Sequence, residues 1–297
     1  MTPSPDRNRW KFSDALKARE VDEFVDRWIH RPLAFLVILP LENRGAFITP
    51  LTITIAAMVT GVMAGGAFAL AGPDRTHWYL VGGLLVLLSV VLDCADGMLA
   101  RLRNATSRLG QVLDGYSDAV AGLAIWAGLC FAASKGINPW IAWPLNGLAL
   151  LTILFHVSIY DKFRENFVRV TAGLKPEPEP ELPERARWLW TALANSYDTG
   201  YARAFRLAGG ISREALALSP ERFRAAFAGP MQLLSCIGLG SHLAQIYVLA
   251  IVAVAIPNHF YAIAQCVIIG ASNLVMIAAL VWWRKRERAV RAAAPAG

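Results

Sequence analysis

The chain is poor in charge: Asp, Glu, Lys and Arg make up 17% of its 297 residues, against 56% hydrophobic. A soluble domain usually carries about 25% charge and 45–50% apolar residues. With a mean hydropathy of +0.42, this composition argues against a soluble enzyme, a disordered tail or a fibrous protein. Cysteine is also scarce. The four present (94, 130, 236 and 266) show no C-x-x-C spacing and lie in apolar stretches, so they read as small packing residues, not a disulfide framework or zinc site. The sequence contains no G-x-G-x-x-G, P-loop, H-E-x-x-H or G-x-S-x-G motif, which removes the common nucleotide, zinc-protease and serine-hydrolase signatures. Five scattered histidines (His30, His77, His156, His242 and His259) show no ligand spacing. No cleavable signal peptide is expected, because residues 1–31 are polar and charged.

What is abundant is long apolar runs. Six are long enough to cross a bilayer: 49–72, 78–100, 113–133, 140–160, 231–256 and 259–283. A seventh, PLAFLVILPL at 32–41, is too short to cross and is expected to be interfacial or re-entrant. Residues 11–31 place Phe12, Leu16, Val21, Phe24, Val25 and Trp28 on a rough helical stripe, which predicts an amphipathic helix on the membrane surface. The fold class expected is therefore an all-α membrane protein, with six transmembrane helices and an N-terminal surface helix.

Basic residues orient it. Of the 29 lysines and arginines, 27 fall in 1–48, 101–112, 161–230 and 284–297; only Arg75 and Lys135 fall on the other side. The positive-inside rule then places both termini in the cytoplasm, and the localisation expected is a bacterial inner membrane. The net charge of +7 fits contact with anionic membrane lipids; without a stacking platform of interleaved aromatics, nucleic acid is not expected as a partner. The chain divides into a cytoplasmic N-terminus (1–48), spans one to four (49–160), a cytoplasmic insert (161–230) containing an extended KPEPEPELPE linker, spans five and six (231–283) and a basic tail (284–297).

Against this background four carboxylates stand out. Asp93, Asp96, Asp114 and Asp118 are the only Asp, Glu, Lys or Arg residues inside the six runs. A mid-membrane Asp costs about 2.5–3.5 kcal/mol, and less near the interface where these four fall. They call for a compensating charge. Asp93, Asp96, Gly97 and Ala100 share one helix face, and Gly110, Asp114 and Asp118 a face of the next. A short connector makes the two helices antiparallel and lets those faces oppose each other. The small residues let backbones approach, or a bulky group fit between them. All-oxygen ligands suit two divalent cations, Mg²⁺ or Mn²⁺, and paired metals serve displacement at phosphorus. Helix capping or pairing with Arg101, Arg103 and Arg108 would not need the Gly/Ala pattern. A cation-coupled transporter would carry acids near mid-membrane on discontinuous helices, and an aspartate-rich prenyltransferase would separate its two acidic motifs.

The stretch DCADGMLARLRNATSRLGQVLDGYSD reads D-x2-D-G-x2-A-R-x8-G-x3-D-x3-D and resembles the signature of the CDP-alcohol phosphotransferases (CDP-alcohol phosphatidyltransferases). The resemblance, which extends to the six-span layout, implies the following. Asp93, Asp96 and Asp114 hold two metals, with Asp118 completing the site and acting as general base. Gly97, Ala100, Arg101 and Gly110 shape the CDP pocket, Arg101 meeting the pyrophosphate. The partners are a CDP-linked lipid or head group and an acceptor alcohol, with CMP released, and members are commonly homodimers. The implied donor is CDP-diacylglycerol; transfer of a choline- or ethanolamine-type head group to a lipid alcohol is the alternative. Lys162 and Arg164 are candidate substrate-phosphate contacts. One departure stands out: the family often has T-P-N at the start of the first span, and here Leu51 follows Thr49-Pro50.

Overall fold

The computed structural model describes residues 10–16, 19–41, 48–172, 191, 199, 203–255, 263–264 and 266–293. Those residues form helices and turns, as the composition predicts. The KPEPEPELPE linker and His259 lie outside them. The principal helices are α1 (Arg31–Ile38), α2 (Pro50–Leu70), α3 (His77–Leu102), α4 (Arg108–Ala133), α5 (Pro139–Ala172), α6 (Pro220–Leu234), α7 (Leu239–Val252) and α8 (Ser272–Ala293). Among the described residues, five helical stretches are long and apolar enough to cross a membrane: Pro50–Leu70, His77–Leu102, Val112–Ala133, Pro139–Ala172 and Cys266–Ala293. A sixth arises if Pro220–Ile237 and Leu239–Val252, which bend by 43°, form one span. The chain is a multi-pass, all-α membrane protein.

Three boundaries differ from the sequence expectation. The N-terminal region is not one helix over 11–31. It makes short turns at Phe12–Ala15 and Arg19–Val21, then a π-helical turn at Asp26–His30 that runs into α1. Pro32 falls in the first turn of α1. The helix passes it because the wider turn precedes it, with the Arg31 N–H bonding five residues back to Asp26. Second, α5 continues to Ala172, beyond the expected span end at 160. Third, the fifth span is broken at Gly238, whose extended backbone (φ −72°, ψ 173°) ends one helix and caps the next.

That break is occupied by the N-terminal segment. The Glu23 carboxylate accepts hydrogen bonds from the Ser241 N–H (2.7 Å), the Ser241 hydroxyl (2.7 Å) and the Gly240 N–H (3.3 Å). These are donors that the start of α7 leaves without intrahelical partners. Only glycine permits the approach: a Cβ on Gly238 would lie 2.2 Å from Glu23 Oε1, and one on Gly240 2.3 Å from Asp26 Oδ1. His30 continues the attachment, bonding Asp26 (2.8 Å) and the Tyr247 hydroxyl (3.2 Å). A buried Arg31–Asp22 ion pair (2.8 Å) and the bond from the Tyr160 hydroxyl to the Val21 carbonyl (2.7 Å) complete it.

Two packing regimes follow. Around α2, small residues dominate. A Cβ on Gly65 would fall 2.3 Å from the Ala124 carbonyl oxygen, and one on Gly128 2.1 Å from the Gly65 carbonyl oxygen. The α2 and α4 backbones are thus in contact. Where α5, α6 and α8 meet, the core is aromatic: Phe163, Phe167, Phe223, Phe227 and Trp283 are buried together. Trp283 stacks on Phe227 (4.5 Å) and meets Phe163 edge-on (4.6 Å).

Candidate active site

Helix α3 brings its carboxylates to the end that carries Arg101, and the chain then reverses through Arg103–Ser107. Asn104 has a positive φ of 51°, a conformation that asparagine tolerates better than most residues. Ser107 starts α4, its hydroxyl accepting the Gly110 N–H at 3.1 Å, an N-cap that fixes where the helix begins. From that start Asp114 and Asp118 follow about two and three turns on.

The two helices scarcely approach each other directly; each packs along α2 instead. In the sequence reading the small residues of the motif, Gly97, Ala100 and Gly110, let backbones approach and something bulky fit between them. The close backbone contact is made elsewhere, by Gly65 and Gly128. Gly97 and Gly110 meet no other helix among the described residues: a Cβ on Gly97 would touch the Arg101 guanidinium (3.4 Å), and one on Gly110 the Ser107 hydroxyl (3.2 Å). A cleft between α3 and α4 is therefore held open by a third helix.

Carboxylates span that cleft. Asp93, Asp114 and Asp118 each present an oxygen, all three within 4.8 Å of one another. Asp93 and Asp118 are within hydrogen-bonding reach, a contact that two ionised carboxylates make only with a proton or a cation between them. Hard oxygen donors at this separation match the chemistry of Mg²⁺ or Mn²⁺. Asp96 is outside this trio. It is 5% exposed and accepts a hydrogen bond from the Thr54 hydroxyl of α2. The structure thus gathers three of the four aspartates and ties the fourth to the helix that holds the cleft open.

Thr54 is a residue the sequence reading missed; its signal was a hydroxyl in an apolar run. It stands one turn after Leu51, which is 50% exposed. Thr49 caps α2, accepting the Thr52 N–H at 3.2 Å, with Pro50 in the first turn, as the sequence suggests.

Ala100 and Arg101 lie at the mouth. Arg101 donates from Nε to the Ala15 carbonyl (2.8 Å), while its guanidinium end lies over Gly97. Arg103 donates to the Ile48 carbonyl (2.6 Å) and covers the Trp10 ring at 5.8 Å. Lys162 pairs with Glu165 (2.7 Å), and Arg164 with Asp161 (3.1 Å), on the extension of α5. Among the other intramembrane polar residues, some bond helix to helix: His156 lies between His242 (3.2 Å) and Asn273 (3.3 Å), and Gln245 reaches Ser272 (3.4 Å). The Asn146 amide instead bonds back within its own helix to Ala142 (2.8 Å). Asp26, His30 and Cys94 form a second grouping of potential ligands, but both His30 ring nitrogens are already engaged.

Outside the spans, burial, and secondarily the neighbouring Asp26, push the Glu23 carboxyl from its ordinary 4.5 up to about 8, against the opposing hydrogen bonds from Ser241.

Residues 47–169 match the family model described as CDP-alcohol phosphatidyltransferase. The match covers α2 to α5 and contains all four aspartates. The chain is 33% identical over 137 residues to phosphatidylinositol phosphate synthase of Mycobacteroides abscessus, covering 44% of this chain and 57% of that protein. It is 30% identical over 104 residues to CDP-diacylglycerol–glycerol-3-phosphate 3-phosphatidyltransferase of Aquifex aeolicus, covering 31% and 58%. It is 26% identical over 120 residues to cholinephosphotransferase 1 of Gallus gallus, covering 39% and 35%. The matched parts thus amount to little more than half of the bacterial relatives and about a third of the avian one.

Proposed function

From that match, we propose that the protein is a phosphotransferase that moves a substituted phosphate group from a CDP-linked alcohol to an acceptor alcohol and releases CMP. The observation that carries this reading is the gathering of Asp93, Asp114 and Asp118 within 4.8 Å, between two helices that each pack along α2 and scarcely meet directly. Asp96 completes the acidic set from the wall shared with Thr54.

Two divalent cations, Mg²⁺ or Mn²⁺, held by these aspartates would neutralise the charge that develops on the pyrophosphate oxygens. The chain's own residues do the rest. Asp118 takes the proton of the acceptor hydroxyl. The acceptor oxygen forms a bond to the β-phosphorus as the bond to the bridging oxygen breaks, and the electron pair leaves with CMP. Gly97, Ala100 and Gly110 give the diphosphate access to the backbone, and Arg101 supplies positive charge at the mouth. Opening at the basic side of the membrane, the cleft lets a lipid and a water-soluble substrate meet.

CDP-diacylglycerol is the donor this reading favours, because the Aquifex relative is named for it; transfer of a polar head group to a lipid alcohol is the second reading, favoured by the avian relative. Lys162 and Arg164 are proposed acceptor-phosphate contacts, available only if their pairs with Glu165 and Asp161 open. The protein works as a homodimer in the bacterial inner membrane, with both termini in the cytoplasm.

The test is CMP release from the purified protein in lipid, with CDP-diacylglycerol offered against CDP-choline or CDP-ethanolamine and a panel of acceptors. We expect release with one donor class only, dependent on Mg²⁺ or Mn²⁺, and a loss of about 10²–10⁴-fold in Asp118→Asn, the range for removal of a general base. Undiminished turnover in that variant would remove Asp118 from the mechanism. Ion flux without CMP would favour a transporter.

A further inference from the structure

Where the last helix leaves the membrane, α8 carries Trp282, Trp283 and a basic run. Val281, Arg284, Lys285 and Arg288 follow i, i+3, i+4, i+7, so they share one helix face. With Leu280 and Ala208 they line a cavity of about 280 Å³. One wall is apolar: Val281 is 49% exposed, on the part of α8 apolar enough to cross the membrane. The other wall is cationic. From Val281 to Arg288 the helix rises about 10 Å, enough to pass from the hydrocarbon edge across a headgroup layer about 5–7 Å thick.

The cations divide in role. Arg284 is built in. It donates to the carbonyls of Ala208 (2.6 Å) and Gly210 (2.8 Å) and pairs with Glu287. The turn that presents those carbonyls needs Gly209 and Gly210, at φ +87° and +60°. Glu287, the nearest carboxylate on the helix, is only 4% exposed and is already committed to Arg284 and the Ser212 N–H. Arg291 is paired with Glu214. Among the described residues, Lys285 and Arg288 have no hydrogen-bond or ion-pair partner. Two uncommitted cations thus stand above an apolar wall, on a turn held in place by a third.

We propose that this cavity is a binding site for an anionic phospholipid, separate from the aspartate cleft. The phosphate meets Lys285 and Arg288, and an acyl chain lies along Leu280 and Val281. A basic pocket between spans at a membrane surface suits such headgroups, and the apolar wall favours a lipid over a free phosphate. Helix α8 packs on α6 and the short helix Arg213–Leu216, away from α3 and α4. The proposal therefore does not depend on the reaction assigned above.

The test uses the whole protein in neutral detergent. Dioctanoyl phosphatidic acid, dioctanoyl phosphatidylcholine and glycerol 3-phosphate are titrated in turn, with binding and the thermal midpoint as readouts. We expect saturable binding of the phosphatidic acid that raises the midpoint, weaker by tenfold or more in the Lys285→Gln/Arg288→Gln double variant. Ala208→Trp, which fills the cavity and leaves the charges in place, should weaken it similarly. Asp118→Asn should leave it unchanged. Equal binding by the double variant overturns the site, equal binding of phosphatidylcholine overturns the role of charge, and an equal response to glycerol 3-phosphate overturns the lipid in favour of a simple anion.

Discussion

Helices α2 to α4 and helices α5, α6 and α8 solve the same packing problem in opposite ways. In the first group, backbone meets backbone through Gly65 and Gly128, and the side chains left over at the open end are carboxylates. In the second, ring meets ring around Trp283. The difference teaches where precision is required. A glycine contact leaves no rotamer to adjust, so it sets the spacing of α2 and α4, and through α2 the width of the cleft. An aromatic cluster supplies bulk stability from large buried surfaces and tolerates small shifts.

Breaking the first regime should have the largest effect. Gly65→Leu places a side chain where even a Cβ would lie 2.3 Å from a backbone oxygen. We expect no folded protein in detergent extracts, or a collapsed thermal midpoint, since neither backbone can yield cheaply. Breaking the second is graded. Trp283→Ala removes a fully buried indole and should cost about 3–5 kcal/mol. The folded fraction should keep its catalytic constant, because α8 packs on α6 and not on the aspartate helices. An equal loss of turnover per folded molecule would mean that the aromatic half also shapes the cleft.

A third probe addresses the segment that joins the two regions. The folded Glu23 carboxyl, pushed up to about 8, keeps a proton that the unfolded chain loses near 4.5. Its stabilising contribution is therefore complete below about 4.5 and declines as pH rises through 8. Thermal midpoints measured across this range should fall with pH in the wild type and be flatter in Glu23→Gln; identical slopes would exclude Glu23 as the titrating group. The smallest effect is expected from Ser107→Ala, which removes the cap at the start of α4 at a cost of about 1 kcal/mol. A much larger fall in activity than in stability would show that the cap also positions Asp114 and Asp118.

How much of this was legible in the sequence depends on the range of the interaction. Asp93, Asp114 and Asp118 were readable because helical spacing and a short connector are local facts. So was the capping of α2 by Thr49. The Asp96–Thr54 bond joins residues 42 positions apart, and no pattern near either one announces it. Gly97, Ala100 and Gly110 were legible as places where backbones can approach and a bulky group can fit, but the tight contact at Gly65 and Gly128 was not. Periodicity reports which residues share a face; it does not say which helix that face meets. The break at Gly238 was hidden inside a continuous apolar run, because hydropathy counts a glycine without recording its backbone angles.

The Glu23–Ser241 clasp closes across 218 positions of chain. During synthesis the ribosome emits the acid early and the donors it accepts from late, after four spans have already entered the bilayer. Assembly therefore proceeds with this fastening undone, and its closure belongs among the final events of biogenesis. A nascent chain arrested before residue 241 should leave the amino-terminal region open to protease, and one released after α7 has inserted should not.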